Sequence, residues 1–179
     1  MTKANKNVGG WSWIEEKTCL IGSSTGIMGL EKVASFDMDD TIITRKSGAK
    51  FPKDAHDWLF LNDKVSPKLK ELYDDGYKIV IFTNQAGIEK GKTKASDIKT
   101  KVENIAKELG VEMQVFIASH EDEYRKPGTK MWDCLENNNG GVKINKAKSF
   151  FCGDAAGRKD GKHKDFSDSD LKFALNVAI

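Results

Sequence analysis

The sequence contains few cysteines, and none of the three forms a Cys-x-x-Cys pair. Cys19 and Cys152 lie within apolar runs. We therefore predict that these two and Cys134 are reduced core residues rather than zinc ligands or disulfide partners. No apolar run approaches the roughly 18 residues that a membrane helix needs, and the N-terminus lacks the basic-then-apolar order of a secretory signal. The sequence thus predicts an intracellular protein that has no membrane segment.

A strong overall charge is also missing, because 29 basic and 27 acidic residues leave a formal net charge of +2. This balance gives no global electric field that would attract nucleic acid. The 179 residues are 39% apolar and 31% charged, which suits one domain with a substantial core and excludes a disordered or collagen-like chain. We predict a polar tail over 1–10 and a single domain over 11–179.

Strand and helix patterns alternate along the later part of the chain, which predicts a parallel α/β fold. The predicted strands are 18–21, 33–37, 78–83, 113–118 and 149–153. A first helix is predicted from Ser66 as N-cap, with Pro67 at its first position, to Gly76. A second ends at Gly110, and two more cover 129–137 and 167–176. Residues 42–64 break the pattern and are predicted to be an inserted flap.

Two aspartates come directly after one of the predicted buried strands. The run that starts at Val33 ends by presenting Asp37 and Asp39 two residues apart. At the carboxyl edge of a parallel sheet both carboxylates can face one pocket. One can attack phosphorus as a nucleophile while the other protonates the leaving oxygen, and Mg²⁺ would screen the negative charge. Taken alone, however, such a pair is more often an acidic loop that faces water.

Three later segments strengthen the phosphoryl-transfer interpretation. Thr83 ends the next strand and can bind a phosphoryl oxygen, although it could also cap a turn. Lys126 can neutralise both the phosphate and the attacking carboxylate. Asp154 follows the last strand and can complete an all-oxygen Mg²⁺ site with Asp37. Each segment is ambiguous by itself, but four in this order on strand ends indicate a magnesium-dependent phosphoryl-transfer site.

Basic clusters also follow three of the predicted strands. They comprise Arg45, Lys46 and Lys50; Lys90, Lys92 and Lys94; and Arg158, Lys159, Lys162, His163 and Lys164. If the strands are parallel, the clusters share one rim of the sheet and would hold a polyanion there; the alternative is that they are solvated loop charges. In the flap, Phe51 is the aromatic residue placed to stack on a base, although aromatics at these spacings more often pack a small satellite core.

The four strand-end motifs resemble those of the haloacid dehalogenase (HAD) superfamily. They are Asp37-Met38-Asp39-Asp40-Thr41, Thr83, Lys126 and Gly153-Asp154. The resemblance implies a Rossmannoid three-layer fold and an aspartyl-phosphate intermediate. Asp37 would be the nucleophile, Asp39 the general acid and then base, and Thr83 with Lys126 would stabilise the phosphoryl group. Asp37, Asp154 and the backbone carbonyl of Asp39 would bind Mg²⁺.

A narrower resemblance covers most of the chain and points to the phosphatase domain of the polynucleotide kinase 3′-phosphatase family. The similar segments are 44–48, 51–52, 82–88, 124–127, 131–133, 151–158, 165–167 and 173–176, and Gly-Asp-Ala-Ala-Gly-Arg at 153–158 is the most specific. The resemblance implies removal of 3′-phosphates from single- or double-strand DNA breaks in the nucleus. We expect the protein to be a monomer that binds proteins of a repair complex. The expected substrate contacts are Asn84, Gln85, Arg45, Phe51, Lys90, Arg125 and Arg158.

One residue departs from the family motif, and three further features could be taken for other functional sites. Asp40 stands where the family commonly has glycine. The Gly-Lys-Thr segment at 87–93 is one residue too short for an ATP-binding P-loop, so no kinase domain is expected. The spacing Ser167-x-x-Asp170 is typical of a capping box, which favours a structural Asp170 over a metal ligand. Asp165 could hold a metal-bound water.

Three alternative functions remain open at this stage. A HAD phosphatase for small metabolites would share every catalytic residue but would not need the basic rim of Arg45, Lys90, Arg125 and Arg158. A phosphoacceptor switch would have to retain its aspartyl-phosphate, whereas Asp39 would speed its hydrolysis. A DNA-end-binding module would show no Mg²⁺-dependent turnover.

Overall fold

The computed structural model describes residues 10–50, 52–159 and 164–179. Its strands are β1 (Trp11–Glu16), β2 (Cys19–Ser24), β3 (Val33–Phe36), β4 (Ile43–Thr44), β5 (Leu59–Phe60), β6 (Lys78–Asn84), β7 (Met113–Ala118) and β8 (Phe150–Cys152). Its helices are α1 (Val65–Asp74), α2 (Ala95–Leu109), α3 (Lys130–Asn137) and α4 (Ser169–Val177). No helix in these ranges is long and apolar enough to cross a membrane.

Six of the strands form one sheet in the order β1-β2-β7-β6-β3-β8. Strands β7, β6, β3 and β8 are mutually parallel, while β2 pairs antiparallel with both β1 and β7. The carboxyl ends of the four parallel strands therefore lie at one edge, where ligand crevices form in open α/β sheets. The predicted α/β fold with a mainly parallel sheet is confirmed.

Helices cover both faces of this sheet, because successive side chains of a buried strand point in opposite directions. On β6, Ile79 and Ile81 pack in the cluster that contains the apolar residues of α1 and α2. Val80 and Phe82 pack in the other cluster, with the apolar residues of α3 and α4. The result is the three-layer arrangement that the resemblance implies.

The sequence pattern missed β1 and misplaced two helix starts, since the helix predicted from 167 begins at Ser169. Trp11 and Trp13 lie on the inner side of β1, stack with ring centroids 5.6 Å apart and pack against the core, while the residues between and after them are largely exposed. Such a short edge strand gives only a weak alternation signal. Helix α1 begins at Val65, so Ser66 is not its N-cap. Gly110 does end α2, with a left-handed φ of 66° that glycine adopts readily.

The cysteine prediction is only partly correct. Cys19 and Cys134 are buried free thiols, as expected. Cys152 is also free but exposed; it ends β8, the edge strand of the sheet formed by the described residues. An apolar run on an edge strand therefore does not guarantee burial of each of its members.

The predicted flap carries a separate two-stranded ribbon, in which β4 pairs antiparallel with β5. Asp57 organises the loop between these strands. Its carboxylate accepts hydrogen bonds from the Ser47 amide at 2.7 Å, the Ser47 hydroxyl at 2.6 Å and the Lys53 amide at 2.9 Å. Phe51, the predicted base-stacking residue, lies outside the described residues.

We expect the order of the flap to depend on ionised Asp57. Hydrogen bonds from Ser47 and then Lys53 lower the pKa of this carboxyl to about 2, below its ordinary value near 4. Its contribution to flap stability is therefore complete above about pH 4 and is lost as the pH falls toward 2. Hydrogen-exchange protection of the Ser47 and Lys53 amides should fall over that interval.

The matched control is Asp63→Asn, which removes an exposed flap carboxylate. This variant should keep the pH dependence, whereas Asp57→Asn should lose both the protection and its change with pH. Protection that is unaltered in Asp57→Asn would contradict this role for the carboxylate.

Candidate active site

Asp37 stands directly after β3 at the carboxyl edge of the sheet and is only 8% exposed. Its backbone amide donates to the Cys152 carbonyl at 2.9 Å, which ties it to the neighbouring strand β8. The chain then turns tightly, because the Met38 carbonyl accepts amides from 41, 42 and 43. The Asp37 carboxylate is thereby fixed at the sheet edge.

Lys126 bridges two buried carboxylates in this site. Its ammonium donates to Asp37 Oδ1 and to Asp170 Oδ1, each at 2.7 Å, and the three residues are all nearly inaccessible to solvent. The ammonium also lies 5.1 Å from the centre of the Phe151 ring. Lys126 therefore joins the loop after β7 to the end of β3 and the start of α4, and the contact with Asp37 is the one that the sequence predicted.

The capping-box interpretation of Asp170 is wrong. Asp170 lies in the first turn of α4, but its side chain contacts the site: Oδ1 accepts from Lys126 and Oδ2 accepts from the Ala155 amide at 3.0 Å. The signal that could have found this role is Gly153, because a Cβ there would come within 2.3 Å of Asp170 Oδ2. Glycine at this position leaves room for the carboxylate.

The site carries an excess of buried negative charge. Burial raises the pKa of Asp37 to about 7; the charge of Lys126 opposes the rise, while those of Asp170 and Asp39 add to it. Burial also raises the pKa of Asp154, as do the nearby charges of Asp170 and Asp40. A bound cation would offset this repulsion.

The same carboxylates fit a divalent metal ion. Ligand oxygens of Asp37, Asp154 and Asp170 lie within 4.8 Å of one another, and an all-oxygen donor set suits Mg²⁺. Asp39 contributes no carboxylate to this cluster, and its expected ligand is the backbone carbonyl.

Gln85 connects the predicted acid–base residue to the predicted phosphate-binding hydroxyl. Its side-chain amide donates to Asp39 Oδ2 at 2.7 Å and to Thr83 Oγ1 at 2.9 Å. Thr83 is buried at the end of β6, so its hydroxyl has little freedom. Gln85, predicted to bind substrate, thus orients two neighbouring catalytic candidates.

Asn84 is similarly engaged within the protein. Its side-chain nitrogen donates to the Lys126 carbonyl at 3.1 Å, and its side-chain oxygen accepts from the Lys126 amide at 2.9 Å. This double hydrogen bond holds the backbone that carries Lys126. The predicted contact between Asn84 and the substrate remains a prediction.

Three of the cations predicted to bind substrate are paired with acids. Arg45 contacts Asp40 at 3.3 Å and Lys90 contacts Glu121 at 2.7 Å. Arg158 contacts Asp165 at 2.9 Å and donates to the Asp154 carbonyl at 3.2 Å. Asp165 accepts hydrogen bonds from Arg158 through both of its carboxylate oxygens, and its suggested role in holding a metal-bound water remains a prediction.

These groups surround an open cleft of about 450 Å³. Asp37, Asp39, Thr83, Lys126 and Asp154 line it, together with Arg125, which has no carboxylate partner in the described part of the chain. Phe166 stands on the same wall and is 85% exposed. The four predicted catalytic residues thus lie around one cavity.

Asp40 adopts a left-handed backbone, with a φ of 57°. Its carboxylate accepts a hydrogen bond from the Thr44 hydroxyl at 3.0 Å besides contacting Arg45. Glycine reaches this conformation without steric cost, so an aspartate at this turn carries backbone strain. In this chain the side chain adds the partner of Arg45.

Comparisons with known proteins agree with this geometry. The family model described as "Polynucleotide kinase 3 phosphatase" matches residues 32–179. The chain is 47% identical over 150 residues to an uncharacterised 20.8 kDa protein of Autographa californica nuclear polyhedrosis virus, covering 83% of this chain and 80% of that protein. A bifunctional polynucleotide phosphatase/kinase of Schizosaccharomyces pombe is 39% identical over 83% of this chain. Polynucleotide 3'-phosphatase ZDP of Arabidopsis thaliana is 36% identical over 89% of this chain.

The matched region is only part of the two named relatives, since it spans 35% of the Schizosaccharomyces pombe protein and 24% of the Arabidopsis thaliana protein. Among solved structures, a HAD-like phosphatase from Mesorhizobium loti superposes with a TM-score of 0.69 at 18% identity, covering 89% of this chain and 76% of that one. This likeness establishes the HAD-like fold that the sequence predicted.

Removing the charge of Asp170 should lower kcat strongly, although each of the predicted catalytic side chains is still present. In Asp170→Asn, Lys126 loses one of its two carboxylate partners and its position relative to Asp37. We expect kcat to fall about a hundredfold or more, because small misplacements of catalytic groups have effects of this size. Steady-state phosphate release measures it.

Asp133→Asn, which removes an exposed carboxylate on α3 that pairs with Lys130, serves as the control and should retain wild-type kcat. Circular dichroism of each variant verifies that it is folded. A kcat for Asp170→Asn within threefold of wild type would contradict the bridging role of Asp170.

Replacing Asp40 by glycine or alanine should separate the contribution of backbone strain to the free energy of unfolding from that of the carboxylate charge. Asp40→Gly and Asp40→Ala both remove the carboxylate, but only glycine relieves the left-handed strain. We expect Asp40→Gly to be more stable than Asp40→Ala by about 1 kcal/mol. Urea unfolding monitored by fluorescence gives the two free energies of unfolding, and equal values would show that the turn stores no strain.

Proposed function

The chain belongs to the polynucleotide kinase 3 phosphatase family, and from this membership we propose that it removes the 3′-phosphate from DNA strand-break ends. The observation that carries the proposal is the 2.7 Å contact between the Lys126 ammonium and Asp37 Oδ1, beside Asp39 and Thr83 in one cleft. A nucleophile, an acid–base group and two phosphate-binding groups are then within reach of one phosphoryl group.

Asp37 performs the first chemical step. Lys126 holds Oδ1, and Oδ2 accepts no hydrogen bond from the described residues, so Oδ2 is available for attack. It forms a bond to phosphorus as the bond from phosphorus to the 3′ oxygen breaks. Asp39 gives its proton to that oxygen, which leaves a 3′-hydroxyl end and an aspartyl-phosphate.

Asp39 acts as the base in the second step. Its carboxylate takes a proton from water as the water oxygen attacks phosphorus, and the bond from Asp37 to phosphorus breaks. Inorganic phosphate leaves and Asp37 returns as a carboxylate. The hydrogen bond from Gln85 keeps Asp39 oriented through both steps.

The proposed metal ligands are Asp37, Asp154 and the backbone carbonyl of Asp39. When bound there, Mg²⁺ supplies positive charge that reduces repulsion between the phosphate and the carboxylates. Asp170 lies in the same cluster, and its two oxygens accept hydrogen bonds from Lys126 and the Ala155 amide. Asp170 therefore acts by positioning Lys126.

Cations in and near the cleft support a polynucleotide substrate over a small phosphate ester. Arg125 lines the cleft, Arg45 contacts Asp40 and Arg158 contacts the Asp154 carbonyl, both of which line it, and Lys90 lies in the loop after β6. When DNA binds, its backbone phosphates would replace the carboxylates that now pair with Arg45, Lys90 and Arg158. A nuclear location, a monomeric state, contact with repair proteins and one domain over 11–179 without a kinase domain remain predictions.

Phosphate release with Mg²⁺ tests the function. The substrates are a nicked duplex with a 3′-phosphate, the same duplex with a 5′-phosphate, and a small aryl phosphate. We expect a strong preference for the 3′ end. Equal or better use of the aryl phosphate would favour the metabolite phosphatase, and no release from any substrate would favour the switch or the DNA-end-binding module.

Two variants test the roles of the acidic pair. Asp37→Asn should abolish turnover, because it removes the nucleophile and a metal ligand together. Asp39→Asn should also lose most turnover but bind Mg²⁺ nearly as well as wild type, since its ligand is a backbone carbonyl. Isothermal titration calorimetry measures the metal affinity, and an equal loss in both variants would contradict the assignment.

A further inference from the structure

A second, more basic cavity of about 200 Å³ lies between the flap and the start of α2. Its charged lining consists of Lys53, Lys92, Lys94, Lys101, Asp54 and Asp97. Four ammonium groups against two carboxylates leave a net charge of +2 around a small space. Such a cavity favours an anion.

Lys101 is the unusual member of this lining. It is only 3% exposed, yet it has no acceptor within hydrogen-bonding or ion-pairing distance among residues 10–50, 52–159 and 164–179. Two other equally buried lysines do have partners: Lys126 contacts two carboxylates, and Lys78 donates to Asn139 at 2.9 Å. The ammonium itself is not among the fully enclosed polar atoms of the described residues, so the small accessible part of this side chain opens into the cavity that it lines. An anion bound there would supply the partner that the ammonium lacks.

The N-terminal end of α2 lies beside the same cavity. Lys94 precedes the helix in an extended conformation and makes no side-chain cap hydrogen bond. The amides of Asp97 and Ile98, which line the cavity, both donate to the Lys94 carbonyl, so the helix contributes the positive end of its dipole rather than free donors. Asp97 in the first turn offsets only part of this positive potential.

The cavity is linked to the active site by one short loop after β6. Gln85, which orients Asp39 and Thr83, begins this loop, and Lys92 and Thr93 lie at its other end. The loop is closed on itself, because the amides of Lys92 and Thr93 donate to the Gly87 carbonyl at 2.9 and 3.1 Å. One end of this loop therefore contacts active-site residues and the other end lines the cavity.

We propose that this cavity binds an internucleotide phosphate of the DNA strand whose 3′-phosphate occupies the active site, an inference that rests on the proposed function. Lys101 supplies a charge on a largely buried side chain, Lys53, Lys92 and Lys94 complete the positive lining, and the α2 dipole adds positive potential. The contact is to the backbone and therefore carries no base specificity. It makes the enzyme select a polymer over a nucleotide.

The test compares two substrates that share the reacting group. A 3′-phosphorylated oligonucleotide has internucleotide phosphates, and thymidine 3′-phosphate has none. For Lys101→Met we expect KM for the oligonucleotide to rise about tenfold, and the slope of log KM against log salt to fall by about 0.7. Its kcat/KM for thymidine 3′-phosphate should stay within twofold of wild type.

Two further variants serve as a control outside the cavity and as a second test within it. Lys107→Met removes an exposed lysine from the same helix outside the cavity, and it should behave as wild type on both substrates. Lys94→Gln changes an exposed cavity residue and should reproduce the oligonucleotide defect if Lys101→Met does not fold. An unchanged oligonucleotide KM in the folded cavity variants, or an equal defect on both substrates, would overturn the proposal.

A binding measurement separates this proposal from the proposed function. An oligonucleotide with a 3′-hydroxyl has no reacting phosphate, but it should still raise the melting temperature of the wild-type protein more than that of Lys101→Met. If the wild-type protein hydrolyses neither substrate, the proposed function fails, and this shift alone decides whether the cavity binds DNA phosphate. Equal shifts in both proteins would reject the cavity.

Discussion

The buried ammonium of Lys126 between the carboxylates of Asp37 and Asp170 is the contact on which the site depends. It joins three distant segments: the end of β3, the loop after β7 and the start of α4. Each partner would be an uncompensated buried charge without the others, and breaking such a pair is strongly destabilising. The same contact therefore fixes both the packing of α4 on the sheet and the position of the nucleophile.

Several neighbouring features allow Lys126 to contact both Asp37 and Asp170. The parallel register of β3 between β6 and β8 brings Asp37 and Thr83 to one edge of the sheet. Gly153 leaves space for the Asp170 carboxylate, and Asn84 holds the backbone of Lys126. Lys126 neutralises only part of the negative charge of Asp37, Asp154 and Asp170. A divalent cation would offset the rest. Catalytic geometry and metal binding thus follow from one arrangement of buried charges.

Local sequence patterns predicted those parts of the fold that local interactions determine. The apolar runs of β3, β6 and β7 and the stop at Gly110 were found within a residue or two, and the HAD-like motifs placed Asp37, Thr83 and Lys126 together. Asp170 was missed because its partner Lys126 is 44 residues away, whereas its capping pattern is local. The acid partners of Arg45, Lys90 and Arg158 and the isolation of Lys101 likewise depend on packing that spacing does not encode.

The central claim is that Asp37 attacks phosphorus, and a direct measurement is to locate the phosphoryl group during turnover. The protein is mixed with Mg²⁺ and an oligonucleotide whose 3′-phosphate is radiolabelled, quenched in acid within one turnover and digested to peptides. The account predicts that the label appears on the peptide that contains Asp37 and disappears as free phosphate forms. Release of labelled phosphate at the full rate with no label on that peptide at any time would contradict it.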